Sequence, residues 1–431
     1  MRLEASGGLV LLAATVAALV WANVAPGTYE DLWSSQVTVG LGGHVITEDL
    51  VHVVNDGLMA IFFLVVGLEV KRELTVGELS GRRAALLPLF AAVGGMVLPA
   101  LIFTVVTAGG GGDVRGWGIP MATDVAFALG ALAALGRRVP SALVAFLLGV
   151  AVIDDIGAIL VVAVYYTDGL EPAWLAAAAI GLIAMAVLQR VGVRHLGVYV
   201  VLGLAIWFAT FESGVHATIA GVAIGLLTPV RPFQEPLVVA AEARRVAAVE
   251  LAPTEPGAGT AGWLRLAWLS REAVSPLDRV ENGLHRWSSF VVLPVFALAN
   301  AGIALDGESL RAAADTPVAL AVALGLVVGK TLGLTAGVLL AIRLGLSSLP
   351  PGVRWAHVVG VGALAGIGFT VSLFITELAY ADPALVDAAK IGVFVGSAVA
   401  AVLGVLLLLR AGRRSAAGAQ ALRRRGGPRG R

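Results

Sequence analysis

Ala151-Val152-Ile153-Asp154-Asp155-Ile156-Gly157-Ala158 sets two carboxylates side by side in a run that is otherwise apolar from Ala142 to Tyr166. A helix needs about 20 residues to cross the hydrocarbon core of a bilayer, and this run is long enough. An aspartate at the centre of such a span costs roughly 2.5–3.5 kcal/mol even on the most lenient insertion scale. Neighbouring carboxylates also repel each other. A chain that needed only a helix here would not carry the pair, so the pair marks a functional position. The alternative is a loop, and apolar residues extending more than two turns on both sides argue against it.

The rest of the chain has the same character. Of its 431 residues, 58% are hydrophobic and only 14% charged, against about 25% charged in an average soluble domain. Fifty-four are glycine, well above the usual roughly 7%, and small residues let membrane helices approach closely. There are no cysteines, which excludes disulfides, thiol chemistry and cysteine-held metals. The net charge of +1 says little about partners. Residues 1–25 have the outline of a signal peptide, but Glu4 and the spans that follow favour a retained first helix.

Twelve apolar stretches qualify as spans, near 8–24, 51–70, 86–107, 118–136, 142–166, 173–189, 196–211, 214–230, 287–303, 316–342, 355–379 and 389–410. With both termini inside, 26 of the 30 lysines and arginines fall on the cytoplasmic side. Only Arg115 and Arg311 fall outside, while Lys330 and Lys390 lie in or at the edge of spans. That asymmetry sets the orientation. Residues 35–47 alternate around Gly42-Gly43 and read as a small outer-face β-hairpin or an ordinary loop. An isolated hairpin is marginal in water, so pairing with a second copy would make a homodimer contact at 35–47. The connection at 231–284 reads as a surface helix from Pro236 to Leu251 followed by flexible linker. The chain thus divides into a transmembrane domain at 1–412, connection included, and a basic, disordered cytoplasmic tail at 413–431.

Several polar residues sit where hydrocarbon is expected. Pro120-Met121-Ala122-Thr123-Asp124 interrupts the fourth span, because proline removes a backbone donor and disfavours helix just before it. Asp124 reads either as a cap on a half-helix or as a site residue, and the two are compatible. Gly360, Gly362, Gly366 and Gly368, ahead of Phe369-Thr370, invite an unwound centre in the eleventh span, or simply close packing. Interrupted spans in both halves point to a transporter site. Lys330 lies deep in an apolar run and needs a partner, for which Asp154 or Asp155 are the candidates; the alternative is snorkelling to an interface. Glu69, Lys71, Arg72 and Glu73 read by themselves as a charged helix end. Asn55-Asp56 lies early in the second span, where it can face water, and His216 reads as a packing residue. Gly110-Gly111-Gly112-Asp113 formally matches the GxGD of intramembrane aspartyl proteases but reads as linker.

Aspartate and threonine oxygens suit a hard cation. Because cation binding requires a deprotonated ligand, one carboxylate site can hold either a proton or a small cation. No GxxxxGK[ST] phosphate loop is present, so the energy source is an ion gradient.

At this point the chain resembles the NhaA-type bacterial sodium/proton antiporters. The resemblance rests on Gly67-Leu68-Glu69-Val70-Lys71-Arg72-Glu73-Leu74, on 122–130, on Ile153-Asp154-Asp155-Ile156-Gly157, on 213–218, on Leu298-Ala299-Asn300-Ala301-Gly302 and on Gly366-Ile367-Gly368-Phe369-Thr370. It covers the chain to about Arg410. It implies an all-α polytopic membrane protein of about 12 transmembrane helices, with an inverted repeat and two discontinuous, crossed helices. It further implies that Asp155 is the principal sodium ligand, with Asp154 pairing with Lys330 or sharing in binding. Thr123 and Asp124 would hold the crossed half-helix ends, and Glu69, Arg72, Glu73 and Glu281 would form a cytoplasmic pH sensor. The implied activity is electrogenic, pH-regulated exchange of sodium or lithium for protons, in a bacterial inner membrane and without enzymatic chemistry. Sodium, protons and the bilayer are then the partners, with no cofactor and no nucleic acid. The long 231–284 connection, the basic tail and Asn282, where some members carry histidine, depart from the family pattern. The competing reading, an intramembrane aspartyl protease, needs its two aspartates facing each other from different helices.

Overall fold

The computed structural model describes residues 2–41, 44–77, 79–136, 139–167, 169–250 and 259–425. Among them, eight helices are long and apolar enough to cross a membrane, and Trp355–Leu364 with Phe369–Ala379, bent by 48°, makes a ninth. The other three apolar stretches come out shorter or interrupted. Leu196–Glu212 has 17 residues, and Thr218–Leu227 has 10 because the chain turns through Gly214 at φ 78° first. The 287–303 stretch is split between Pro276–Trp287 and Leu293–Asn300 by a π-helical turn at Ser288–Val292.

Glycine decides which helices touch. Arg82–Gly109 runs against Lys330–Arg343, where a side chain at Gly94 would collide with the backbone of Gly333, and one at Gly337 with that of Phe90. Met59–Thr75 and Thr218–Leu227 meet in the same way, through Gly67 on Val222 and Gly221 on Ala60. In lipid there is no hydrophobic drive between helices, so close backbone approach supplies the attraction. These contacts bring the Lys330 stem beside Gly95.

Both interrupted spans are broken as proline and glycine require. Val114–Met121 is a 3-10 helix, the chain is extended at Ala122, and Val125–Leu135 continues as α-helix. The eleventh stretch is unwound between Leu364 and Phe369.

The strands β1 (Gln36–Leu41) and β2 (His44–Asp49) pair antiparallel with Gln36 opposite Asp49, and the Gly42-Gly43 turn lies outside the described residues. The connection is helical at Pro236–Glu250 as read from the sequence, but Gly259–Glu272 is helical too, where flexible linker was expected. Val246 and Leu269, buried between these two helices, supply the apolar contact that a charge-rich sequence hides. Residues 251–258 lie outside the described set. The last helix runs Pro383–Arg425, past the boundary at 412, and residues 426–431 are likewise outside.

A further expectation is corrected. Asn55 does not face water; it is 7% exposed and exchanges amide hydrogen bonds with Asn300, Nδ2 to Oδ1 at 3.1 Å one way and 2.8 Å the other. An amide buried in this way must find hydrogen-bond partners within the protein. His216 packs as expected: its Nε2 donates to the Tyr166 carbonyl at 2.9 Å, since a carbonyl can only accept.

Candidate functional site

The two breaks lie against each other and satisfy each other's backbone. The Asp124 N–H donates to the Ile367 carbonyl at 2.6 Å. The Asp124 carboxylate caps its own half-helix by accepting from Phe127 N–H at 3.3 Å. Its other oxygen accepts from Thr370 N–H at 3.1 Å and Thr370 Oγ1 at 2.8 Å, capping the half-helix across the junction. One carboxylate therefore serves the N-termini of two half-helices, where its negative charge complements both dipoles. Ser372 Oγ donates to the Ile119 carbonyl at 2.6 Å, and Gly368 N–H to Ser397 Oγ at 3.2 Å.

Against this junction stands the Ser141–Tyr165 helix with the aspartate pair. Successive helical residues point about 100° apart, so the two carboxylates diverge. Asp154 turns into the protein. It is 1% exposed, and its Oδ2 accepts from Lys330 Nζ at 2.6 Å, the lysine itself being 0% exposed. Thr123 Oγ1 stands 2.7 Å from the same oxygen and 2.9 Å from the Ala365 carbonyl. A hydroxyl has one proton, so it serves one acceptor at a time. Asp154 Oδ1 is buried without a hydrogen-bond partner. Asp155 takes the other side: it is half-buried and has no hydrogen bond or ion pair among the described residues. It lies in electrostatic range of Asp154, Asp124 and Glu69.

Lys330 follows a π-helical turn, Gly325–Gly329, and Pro99 packs on Gly329. Such turns are frequent at functional sites because they shift the face that follows. No sequence period announces them.

The charged helix end is joined to another element. Arg72 Nη1 meets Glu281 Oε1 at 2.7 Å, linking Met59–Thr75 to Pro276–Trp287. Glu281 Oε2 is buried without a hydrogen-bond partner. Burial pushes the Glu281 carboxyl above its ordinary range, against the opposing pull of Arg72, and the nearby Glu69 adds to the rise. Glu69 thus lies in range of both Glu281 and Asp155. Glu73 lies beside Gly77 at the end of its helix. Asp113, the last residue of the formal GxGD match, caps the 3-10 helix by accepting from Arg115 N–H at 2.8 Å.

Sequence reasoning passed over Thr370, Ser372, Ser397, Asn300 and the carbonyls of Ala365 and Ile367. A hydroxyl just after a glycine-broken span is a usable signal; which carbonyls face inward is not readable without the fold.

A model of the family described as Na+/H+ antiporter 1 matches residues 1–408. The chain is 47% identical to the Na(+)/H(+) antiporter NhaA 3 of Frankia alni over 95% of this chain and 88% of that protein. It is 46% identical to the Na(+)/H(+) antiporter NhaA of Rhodopirellula baltica, over 95% of this chain and 92% of that one. The Na(+)/H(+) antiporter NhaA of Janthinobacterium sp. is 44% identical over 94% and 90% of the two chains.

The Lys330–Asp154 pair gives a stability test. Removing one partner of a buried ion pair costs about 3–5 kcal/mol, because the other charge is stranded. Lys330→Ala should therefore lower the thermal midpoint in detergent strongly, and adding Asp154→Asn should recover part of the loss. Strictly additive losses would mean that the pair does not stabilise the fold.

Proposed function

As a member of the Na+/H+ antiporter 1 family, the chain is a multi-pass membrane transporter and not an enzyme, and we propose that it exchanges sodium for protons at Asp155 and Asp154. The observation that carries this reading is the contrast between the two aspartates. Asp154 is held by Lys330 and Thr123, whereas Asp155 is half-buried with no hydrogen bond or ion pair among the described residues. A carboxylate so placed takes up either a proton or a hard cation. Asp154, with its bare Oδ1, is the second ligand, and Lys330 balances its charge while the site is empty of sodium. Two carboxylates at one site can take up protons when sodium leaves, which is compatible with electrogenic exchange. Thr123 and Asp124 hold the crossed break in register, so that movement of the half-helices opens the site to one face at a time. No cofactor takes part.

Peptide cleavage is not supported: the chain's family is one of antiporters, and the aspartates are adjacent on one helix. The distribution of basic residues supports both termini on the cytoplasmic side of a bacterial inner membrane. Regulation by cytoplasmic pH rests on Arg72, Glu281 and Glu69, with Glu73 at the rim, because Glu69 couples this group electrostatically to Asp155. The β1–β2 hairpin, a two-stranded ladder that is marginal in water by itself, supports a homodimer.

Three outcomes follow. Asp155→Asn should insert and fold but abolish sodium-driven proton movement in proteoliposomes; normal exchange would remove Asp155 from the site. Glu281 holds its proton to higher pH than an exposed glutamate, so its charge, and its attraction to Arg72, appear only as pH rises through that raised value. Glu281→Gln keeps the low-pH state, and the activity–pH curve should move to higher pH with sodium affinity at saturating pH unchanged. An unmoved curve would reduce the cluster to a solvated rim. Deleting residues 36–49 should convert the dimer to a monomer by light scattering in detergent; an unchanged mass would place any dimer contact elsewhere.

A further inference from the structure

The connection between Leu227 and Pro276 is not used by the exchange reaction, yet it is built. Pro236–Glu250 and Gly259–Glu272 form a helical hairpin pinned at its base. Gln234 N–H donates to the Glu272 carbonyl at 3.0 Å, and the buried Glu272 carboxylate meets Arg194 at 3.0 Å and Arg279 at 3.5 Å. Arg194 also lies 4.7 Å over the Phe233 ring. Arg194 stands between the ends of Pro172–Val191 and Leu196–Glu212, so the hairpin base is tied to the level where two apolar helices leave the membrane.

From that base the second helix presents Trp263, Leu264 and Trp268, 49%, 65% and 50% exposed, with Ala267 and Arg271 between them on the side away from the buried Leu269. Trp268 stands four residues, about 6 Å, from the pinned end. Tryptophan favours the headgroup level, where its ring meets hydrocarbon and its N–H meets water. Beside this stripe is a cleft of about 560 Å³ lined by Glu242, Arg245, Arg265 and Trp268. Arg245 and Arg265 share the single carboxylate of Glu242, at 2.8 and 3.5 Å, which leaves one positive charge over.

We propose that this hairpin docks on the anionic cytoplasmic leaflet, with Trp263, Leu264 and Trp268 in the acyl–headgroup boundary and the Arg245–Arg265 cleft on a lipid phosphate. Interfacial helices seat their apolar face about 5–10 Å into that boundary, and basic residues beside it add attraction to anionic lipid. A lipid surface fits better than a protein partner because the stripe is narrow, tryptophan-edged, cationic and fastened at membrane level. The proposal relies on the cytoplasmic orientation given above, and not on the ion site.

The chain has no cysteine, so one introduced thiol labels uniquely. The Leu264→Cys variant, carrying a polarity-sensitive fluorophore, is placed in nanodiscs of equal phosphatidylglycerol and phosphatidylcholine. Blue-shifted emission and quenching by a nitroxide-headgroup lipid are expected, and both should weaken in phosphatidylcholine alone. Adding Arg265→Gln should reduce the quenched-to-free ratio about fivefold, the factor matching ~1 kcal/mol per basic residue at an anionic surface. Sodium/proton exchange should be unchanged in both variants, which separates this test from that of the ion site. Water-like emission in both lipids would overturn the proposal. So would quenching indifferent to lipid charge and to Arg265→Gln, or a blue shift in detergent that grows with protein concentration and so reports a contact between copies. Modification of the unlabelled Leu264→Cys thiol by an impermeant reagent in intact cells would overturn the orientation instead.

Discussion

Everything at the centre of this molecule depends on two broken helices completing each other's backbone. A break in a membrane helix frees N–H and C=O groups that hydrocarbon cannot solvate, at several kcal/mol each if left bare. Here the Asp124 N–H finds the Ile367 carbonyl, and the Asp124 carboxylate caps the half-helices beginning at Val125 and Phe369. Neither break is tenable alone. Because the partners are few and directional, the crossing has a defined geometry.

The aspartate pair exploits that crossing through an inequality. Adjacent residues on one helix face different surroundings, so a single dipeptide supplies one carboxylate paired with Lys330 and one with no hydrogen bond or ion pair among the described residues. Lys330 reaches Asp154 from a helix that glycine-to-backbone contacts hold close against Arg82–Gly109. Thr123 is shared between Asp154 and the Ala365 carbonyl, so a change in the charge of Asp154 is felt at the break itself. Arg72–Glu281 repeats the pairing more weakly, because the partly exposed arginine end of that pair is screened by solvent.

Much of this was written locally in the chain. Asp154-Asp155 in an apolar run, Pro120 before Thr123-Asp124, the Gly360–Gly368 series and Lys330 each break a one-dimensional rule about what a membrane helix tolerates, so each was visible before any fold was known. The β1–β2 alternation and the cationic asymmetry of the loops were readable for the same reason: period and charge sign need no partner.

Tertiary structure decided what depends on a partner. Which of two equivalent aspartates meets Lys330, that Asn55 seeks Asn300 and not water, and that Thr370 shares the Asp124 carboxylate are facts about residues 176, 245 and 246 positions apart. The π-helical turns before Lys330 and at Ser288–Val292, and the ordered helix at Gly259–Glu272, were equally hidden. In each case the choice was made by packing and by the need to satisfy buried polar groups, forces that act between distant segments and leave no periodic trace in either one.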